Sequence, residues 1–478
     1  MQTPQRLVPS SNRVWTFLVY AVMIGMAAVA FLFIRAEGET LVAPAVPAGV
    51  QDAVGGAQIN PLLHVLLVLA VVIATARVMG ILFKFLHQPP VIGEIIGGML
   101  LGPSVLGRLA PEASAYILPG SVAPMLGIIA QLGVILYMFL VGLDLDLRAL
   151  RKSGYVTLAI SHASIVLPFL LGAMFALALY ERFSDNSVAF TTFALFLGVS
   201  MSVTAFPVLA RILTDRRMHK SRMGMLALTC AAVDDVTAWC LLAFVVSVAQ
   251  SRISNAVVTL VLTGVFIAFI LLVARPLIAR LAPRLEASGR VTEGGMALIF
   301  VAILLSALAT EYIGIHAIFG AFLLGAVIPH NSRVAGDVTA KLQDVVRVMF
   351  LPAFFAFTGM RTQFGLLQTG EDWLLCGGII AVATVGKFGG TLVAAKLMGM
   401  SLRDSSALGI LMNTRGLVEL IVLNIGLDLG VISPTLFAML VLMALVTTFA
   451  TTPILDAILG KKPWVEEAAA PEAARARG

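Results

Sequence analysis

Two adjacent aspartates, Asp234 and Asp235, lie near the middle of an apolar run at 221–249. An ionisable side chain at the centre of a membrane helix costs roughly 2.5 to 3.5 kcal/mol on insertion scales, so each one needs a reason to be there. Arg77, Glu94, Lys387, Arg415 and Glu419 occupy comparable positions in other apolar runs. Neighbours in a helix point about 100° apart, so one carboxylate can bind an ion while the other holds a structural partner. Loss of water favours the protonated form of a carboxylate, and a like charge nearby favours it further in one member of a pair. A bare monovalent cation competes with that proton for the same oxygens. The chemistry is exchange by competition, with two mutually exclusive ligands at one site.

Lys387 lies near the centre of the run 372–397, and its natural partner is an acid at the same depth, for which Asp234 is the candidate. Such a pair is either a fixed strut or a coupling group that opens when a proton or cation binds; a buried lysine supports both readings. Two runs are interrupted halfway, as transporter sites often require. In 188–212, Pro207 is expected inside the helix, removing a backbone hydrogen bond, displacing Phe206 from helical geometry and leaving carbonyls and the Thr204 hydroxyl to offer oxygens. In 403–427, Asn413, Thr414 and Gly416 form the interruption, and Arg415 and Glu419 at i and i+4 read as a staple across it. Glu94 sits in a Gly-rich span and reads as structural, with Arg77 a possible partner. His64, His162 and His316 lack metal-ligand spacing and read as hydrogen-bonded packing residues.

The elements that must carry these groups follow from composition. The 478 residues are 59% hydrophobic and 12% charged, against about a quarter charged in a globular domain. That makes the chain a polytopic membrane protein and excludes a soluble enzyme, a nucleic-acid binder or a disordered adaptor. Runs of roughly 20 apolar residues occur near 14–34, 61–84, 122–143, 155–179, 188–212, 221–249, 254–281, 291–310, 372–397, 403–427 and 432–459, with shorter ones near 90–106, 314–330 and 344–360. With both termini cytoplasmic, most of the 32 Lys and Arg fall at cytoplasmic ends, leaving Arg35, Arg108, Arg182, Arg252 and Arg361 opposite. That asymmetry accounts for the net charge of +6. Residues 1–59 read as a retained signal-anchor-like helix and linker, 60–460 as the transmembrane domain and 461–478 as a short cytoplasmic tail. Cys230, Cys240 and Cys376 lie in apolar stretches and suggest neither disulfide nor zinc.

The chain repeats itself. Ile92 to Gly102 matches Ile315 to Gly325 in its Ile, Gly and Leu positions, and Phe139-Leu140-Val141-Gly142-Leu143 recurs, at a similar offset, as Ala356-Phe357-Thr358-Gly359-Met360. The topology runs the two halves oppositely through the membrane, a secondary-transporter signature. Thr384-Val385-Gly386 begins like a potassium filter but continues into Lys387, which would repel the ion. No phosphate-binding loop is present, so the energy must come from a gradient.

Three stretches, Pro90 to Gly107, Ser202 to Leu213 and Asn413 to Leu420, resemble the second monovalent cation:proton antiporter family, the last two most closely its plant-type cation/H⁺ exchanger branch. The resemblance covers roughly residues 60 to 460. It implies an all-α inverted-repeat fold with two crossing broken helices, about 13 core spans after the N-terminal helix, a separate dimerisation domain and elevator-like alternating access. Carried over, Asp235 matches the ion- and proton-binding carboxylate, Asp234 its neighbour and Lys387 the lysine of the core, with Thr204 and Asn413 at the crossing. Plant-type members usually have Asn where this chain has Asp234, and the double aspartate resembles electrogenic sodium/proton members. The expected protein is a homodimeric cell-membrane antiporter of Na⁺ or K⁺ against H⁺, without cofactor and with no metal beyond the transported cation. A Na⁺-coupled organic-solute symporter and a channel-like efflux pathway are the alternatives.

Overall fold

Long apolar runs leave the backbone no partner but itself, so the chain folds into helices, and no strand occurs among the described residues. The computed structural model describes residues 61–460 apart from 87, 121, 145–154, 185–187, 219–220, 251–252, 287–290 and 330–331. The expected helix at 14–34, the linker and the tail lie outside the described residues. The first six runs become α1 (Pro61–Phe85), α2 (Pro90–Leu101), α3 (Ala123–Asp144), α4 (Tyr155–Phe183), the broken pair α5 (Phe190–Ser202) and α6 (Phe206–Asp215), and α7 (Arg222–Gln250). A connecting segment follows, α8 (Ile253–Phe269) running through a wide turn at Ile270–Ala274 into α9 (Arg275–Glu286). The second set is α10 (Glu293–Ile313), α11 (Ala317–Val327), α12 (Arg333–Val345) leading through Val346–Phe350 into α13 (Leu351–Arg361), α14 (Gly370–Leu397), the broken pair α15 (Leu402–Met412) and α16 (Leu417–Asp428), and α17 (Pro434–Leu459).

Among the described residues eleven helical stretches are long and apolar enough to cross a membrane, α2 counted together with the short helix Leu106–Leu109 that follows it, or 12 with the bent pair α15 and α16, and α11 accounts for the remaining expected run. Three boundaries differ from the sequence expectation. The run at 314–330 forms only the 11-residue α11, which at 1.5 Å per residue reaches about half the bilayer core. The run at 344–360 belongs to a helical stretch that begins at Arg333, because Ser332 caps it by accepting from Ala335 N at 3.1 Å. Pro207 lies in the first turn of α6, not in a helix interior, and Phe206 is helical. At that position the missing N–H has no intrahelical partner to lose.

The repeat shows itself in how the halves pack. α2 lies on α1 as α11 lies on α10, and each of these short Gly-rich helices then packs across the molecule, α2 against α13 and α11 against α3. A Cβ on Gly102 would run into the Gly359 carbonyl, and one on Gly142 into the Phe322 carbonyl beside Gly325. Gly102 and Gly325 are equivalent repeat positions, as are Gly142 and Gly359, so the same backbone contact occurs twice. Gly102→Ala and Gly325→Ala are each expected to cost about 1 to 3 kcal/mol, seen as a lower melting temperature of the purified protein in detergent.

The remaining helices form a second set in which α4 packs on α14, α5 and α7. Gly386 and Gly390 bring α14 against Pro168 and Ala163 of α4, which places Lys387 beside the serines of α4. Large apolar side chains on α1, α8 and α10, among them Val78, Val265 and Leu308, stay exposed. In so apolar a chain these surfaces face lipid.

Candidate functional site

The two breaks meet. Ala205 N donates to Thr414 O at 2.9 Å, and Thr204 Oγ1 lies 3.1 Å from Met412 O, so each interruption satisfies part of the other's freed backbone. α15 and α16 are bent by 45° at their break. A broken helix exposes carbonyls at the end of its first half, with partial negative charge, and N–H groups at the start of its second, with partial positive charge. The chain places ions accordingly. Arg415 Nη1 and Nη2 donate to Ser200 O at 2.8 Å and Met201 O at 2.6 Å, and Lys387 Nζ donates to Ser202 O at 2.6 Å. Two cations therefore cap the C-terminal end of α5. On the other side of the break, the Phe206 backbone amide faces Asp235 without reaching hydrogen-bond geometry.

Asp234 and Asp235 are both buried and differ completely in surroundings. Asp234 accepts from Ser161 Oγ, from Ser164 Oγ at 2.7 Å and from Lys387 Nζ at 2.8 Å, while Thr204 Oγ1 lies 2.8 Å away. Its oxygens are filled. Neither oxygen of Asp235 makes a hydrogen bond, and the Asn413 side-chain oxygen at the second break is likewise buried without a partner. A buried carboxylate without donors is expensive, whereas a desolvated cation or a proton supplies what it lacks.

The structure thus joins Asp234, Lys387 and Thr204 directly, sets Asp235 next to them on α7, and puts Asn413 and Thr414 at the second break. Arg415 and Glu419 form an ion pair of 3.0 Å, both fully buried, and Arg415 also ties the second broken helix to the end of the first. Arg415→Ala leaves Glu419 and the carbonyls of Ser200 and Met201 uncompensated. A loss of about 3 kcal/mol is expected, measured as melting temperature, with Arg415→Lys rescuing only part because a single ammonium cannot reproduce the fork.

Sequence reasoning missed Ser161 and Ser164 of α4, which hold Asp234. Their spacing of three inside an apolar run put two hydroxyls on one helix face, a signal that was available. It also missed Thr448, whose Oγ1 accepts from Arg415 N at 2.8 Å and donates to Arg415 O at 2.7 Å. Glu94 has Arg77, Arg211 and Arg347 as its charged neighbours, a wider set than the single partner expected. His162 lies at the protein surface, its Nδ1 2.8 Å from Leu158 O.

Paired broken helices, exchanged repeat contacts and buried charges at the crossing define a polytopic membrane transporter of the inverted-repeat class. The family model described as "Sodium/hydrogen exchanger, transmembrane" matches residues 65–460, and the chain belongs to that family. It is 43% identical to the Na⁺/H⁺ antiporter NhaS4 of Synechocystis over 83% of this chain and 97% of that one. Cation/H⁺ antiporter 17 of Arabidopsis thaliana is 40% identical over 84% of this chain. The K⁺/H⁺ antiporter 1 of Saccharomyces cerevisiae is 34% identical over 83%. The chain spans about half the length of these last two proteins, 49% and 46%. Among solved structures, the sodium proton antiporter MjNhaP1 of Methanocaldococcus jannaschii shares the fold, with a TM-score of 0.57 at 16% identity over 85% of this chain and all of that one.

Proposed function

We propose that the protein is a secondary active antiporter that exchanges Na⁺ or K⁺ for H⁺ at Asp235. The observation that carries this reading is the contrast between two neighbouring buried carboxylates, one saturated with donors and one with none. Asp234, held by Ser161, Ser164 and Lys387, is a strut that supports the lysine and the end of α5. Asp235 binds a proton or a cation but not both, with the Phe206 amide and the oxygens of the two breaks around it. Because both ligands use the same oxygens, the loaded site moves between the two sides in either form and the gradient of one drives the other. The set of helices carrying the crossing moves against the set containing α1 to α3 and α10 to α13, in an elevator-like cycle. The transporter works as a homodimer in the cell membrane, with both termini cytoplasmic. Relatives named for Na⁺/H⁺ and K⁺/H⁺ exchange both resemble the chain, so the ion is chosen by how many oxygens reach it and how rigidly they are held.

Proteoliposomes loaded with a pH dye test this. Na⁺, K⁺ and Li⁺ added in turn are expected to evoke proton movement that saturates with cation, and whose apparent KM rises as the pH falls. Proton movement with none of the cations overturns the antiporter reading, as does cation flux that neither saturates nor carries protons, which describes a channel. Accumulation of an organic solute driven by Na⁺ would establish the symporter instead.

A further inference from the structure

A cavity of about 290 Å³, lined by neither aspartate, lies between α3, α13, α16 (the second half of a broken helix) and the α10–α11 turn. Among apolar side chains, Gln131, Glu311, His316, Asn424 and Asp428 line it. These residues cluster at the end of the bundle where Arg361 also sits, the side that the Lys and Arg distribution makes extracytoplasmic.

Three features single out His316. Its backbone is at φ 76 and ψ 137, one of two non-glycine residues with positive φ among the described residues. A bulky side chain in that region is strained, and strain of this kind persists where the surroundings hold it for a purpose. Although His316 occupies the N-cap position of α11, its side chain does not cap the helix. Glu311 does that work from α10, accepting from Ala317 N at 2.7 Å. The His316 Nδ1 is buried and makes no hydrogen bond. The chain therefore holds an imidazole at the cavity wall at conformational cost, with its Nδ1 left without a partner.

The charges around it complete the case. Glu311 on α10 and Asp428 on α16 are the carboxylates facing the imidazole. Arg361 on α13 donates to Asp428 at 2.5 Å and to Asn424 Oδ1 at 3.0 Å, neutralising one of them. α3 contributes only the uncharged Gln131 to the wall. With a neutral imidazole the cavity carries one net negative charge, and with a protonated one it carries none.

We infer that this cavity is a cation-admitting antechamber on the extracytoplasmic side, and that protonation of His316 cancels its charge and weakens cation entry. Burial holds the His316 imidazole below the ordinary histidine value while Glu311 and Asp428 draw it part of the way back, so the antechamber responds to marked external acidification, separately from the competition at Asp235. The inference rests on the antiporter reading. It adds a second proton-binding group that tunes affinity without carrying transported protons.

The test measures Na⁺- and K⁺-evoked proton movement in right-side-out and everted membrane vesicles, so that acidification reaches one face at a time. His316→Asn removes the titration and keeps a residue type that, like histidine, is enriched at positive φ. In right-side-out vesicles taken to external pH 4.5 the variant is expected to show an apparent cation KM about threefold below wild type, the size of one charge acting across a few water-filled ångströms. At pH 8 the two KM values coincide, and the maximal rate is unchanged throughout. Glu311→Gln, which removes charge from the other direction, raises the apparent KM at pH 8 by a similar factor. Parallel pH profiles for wild type and His316→Asn overturn the inference, and so does a change in maximal rate at every pH, the mark of a structural role. An effect confined to everted vesicles overturns the extracytoplasmic placement. Wild type without any exchange sinks the antiporter reading first; wild-type exchange with parallel profiles sinks only the antechamber.

Discussion

Asp235→Asn is expected to bring cation-evoked proton movement down to the level of protein-free liposomes while the melting temperature stays the same or rises. The two halves of that expectation have one cause. Asp235 makes no hydrogen bond in a buried site, so folding bears the desolvation of a carboxylate and gains nothing from it. Asparagine keeps the volume and removes the charge, and a neutral amide costs less to bury than a carboxylate. Transport fails because an amide neither takes up a proton in this range nor offers a charge to a cation. A variant that is inactive and clearly less stable would show that Asp235 is structural. A variant that keeps coupled exchange would move the transported ion to another group.

The opposite result is expected one residue earlier. Lys387→Ala strips Asp234 of its charged donor and leaves Ser202 O uncapped at the end of α5. Breaking a buried pair by removing one partner costs about 3 to 5 kcal/mol, so the single variant should melt far earlier than wild type. Asp234→Asn alone should also be destabilised, because the ammonium is then buried without its counter-ion. The double variant Asp234→Asn, Lys387→Met removes both charges and should recover most of the loss. Exchange by the recovered double variant makes the pair a strut. A folded but inactive double variant assigns Lys387 to coupling, because its charge is then needed for the cycle and not for the fold.

Much of the architecture was legible because the bilayer imposes strict rules. A run of about 20 apolar residues has few alternatives to a spanning helix, and every run expected between 61 and 460 returns as a helical element. Exceptions occur where length is ambiguous. α11 looked like a span because its apolar stretch continues past the helix, and only the turn at Gly314 and the cap after Val327 show that it stops short. Pro207 marked the break correctly but not its position, since proline is accepted in the first turn of a helix as readily as it disrupts the middle.

The site divides along the same line. Sequence alone singled out the residues too costly to be accidental, Arg77, Glu94, Asp234, Asp235, Lys387, Arg415 and Glu419, with polar interruptions at Thr204 and at Asn413 and Thr414. It also showed the repeat, because glycines that let two backbones touch cannot be exchanged for anything larger. Only the tertiary structure decided which aspartate is saturated, since neighbours on a helix are equivalent until another helix covers one of them. That helix is α4, whose Ser161 and Ser164 lie about 70 residues away in sequence; together with Lys387 it fills the oxygens of Asp234 and leaves Asp235 with none. The partners of Arg415 on the carbonyls of α5 were hidden for the same reason, because a main-chain oxygen carries no residue signature and becomes an ion ligand only where the fold interrupts its helix.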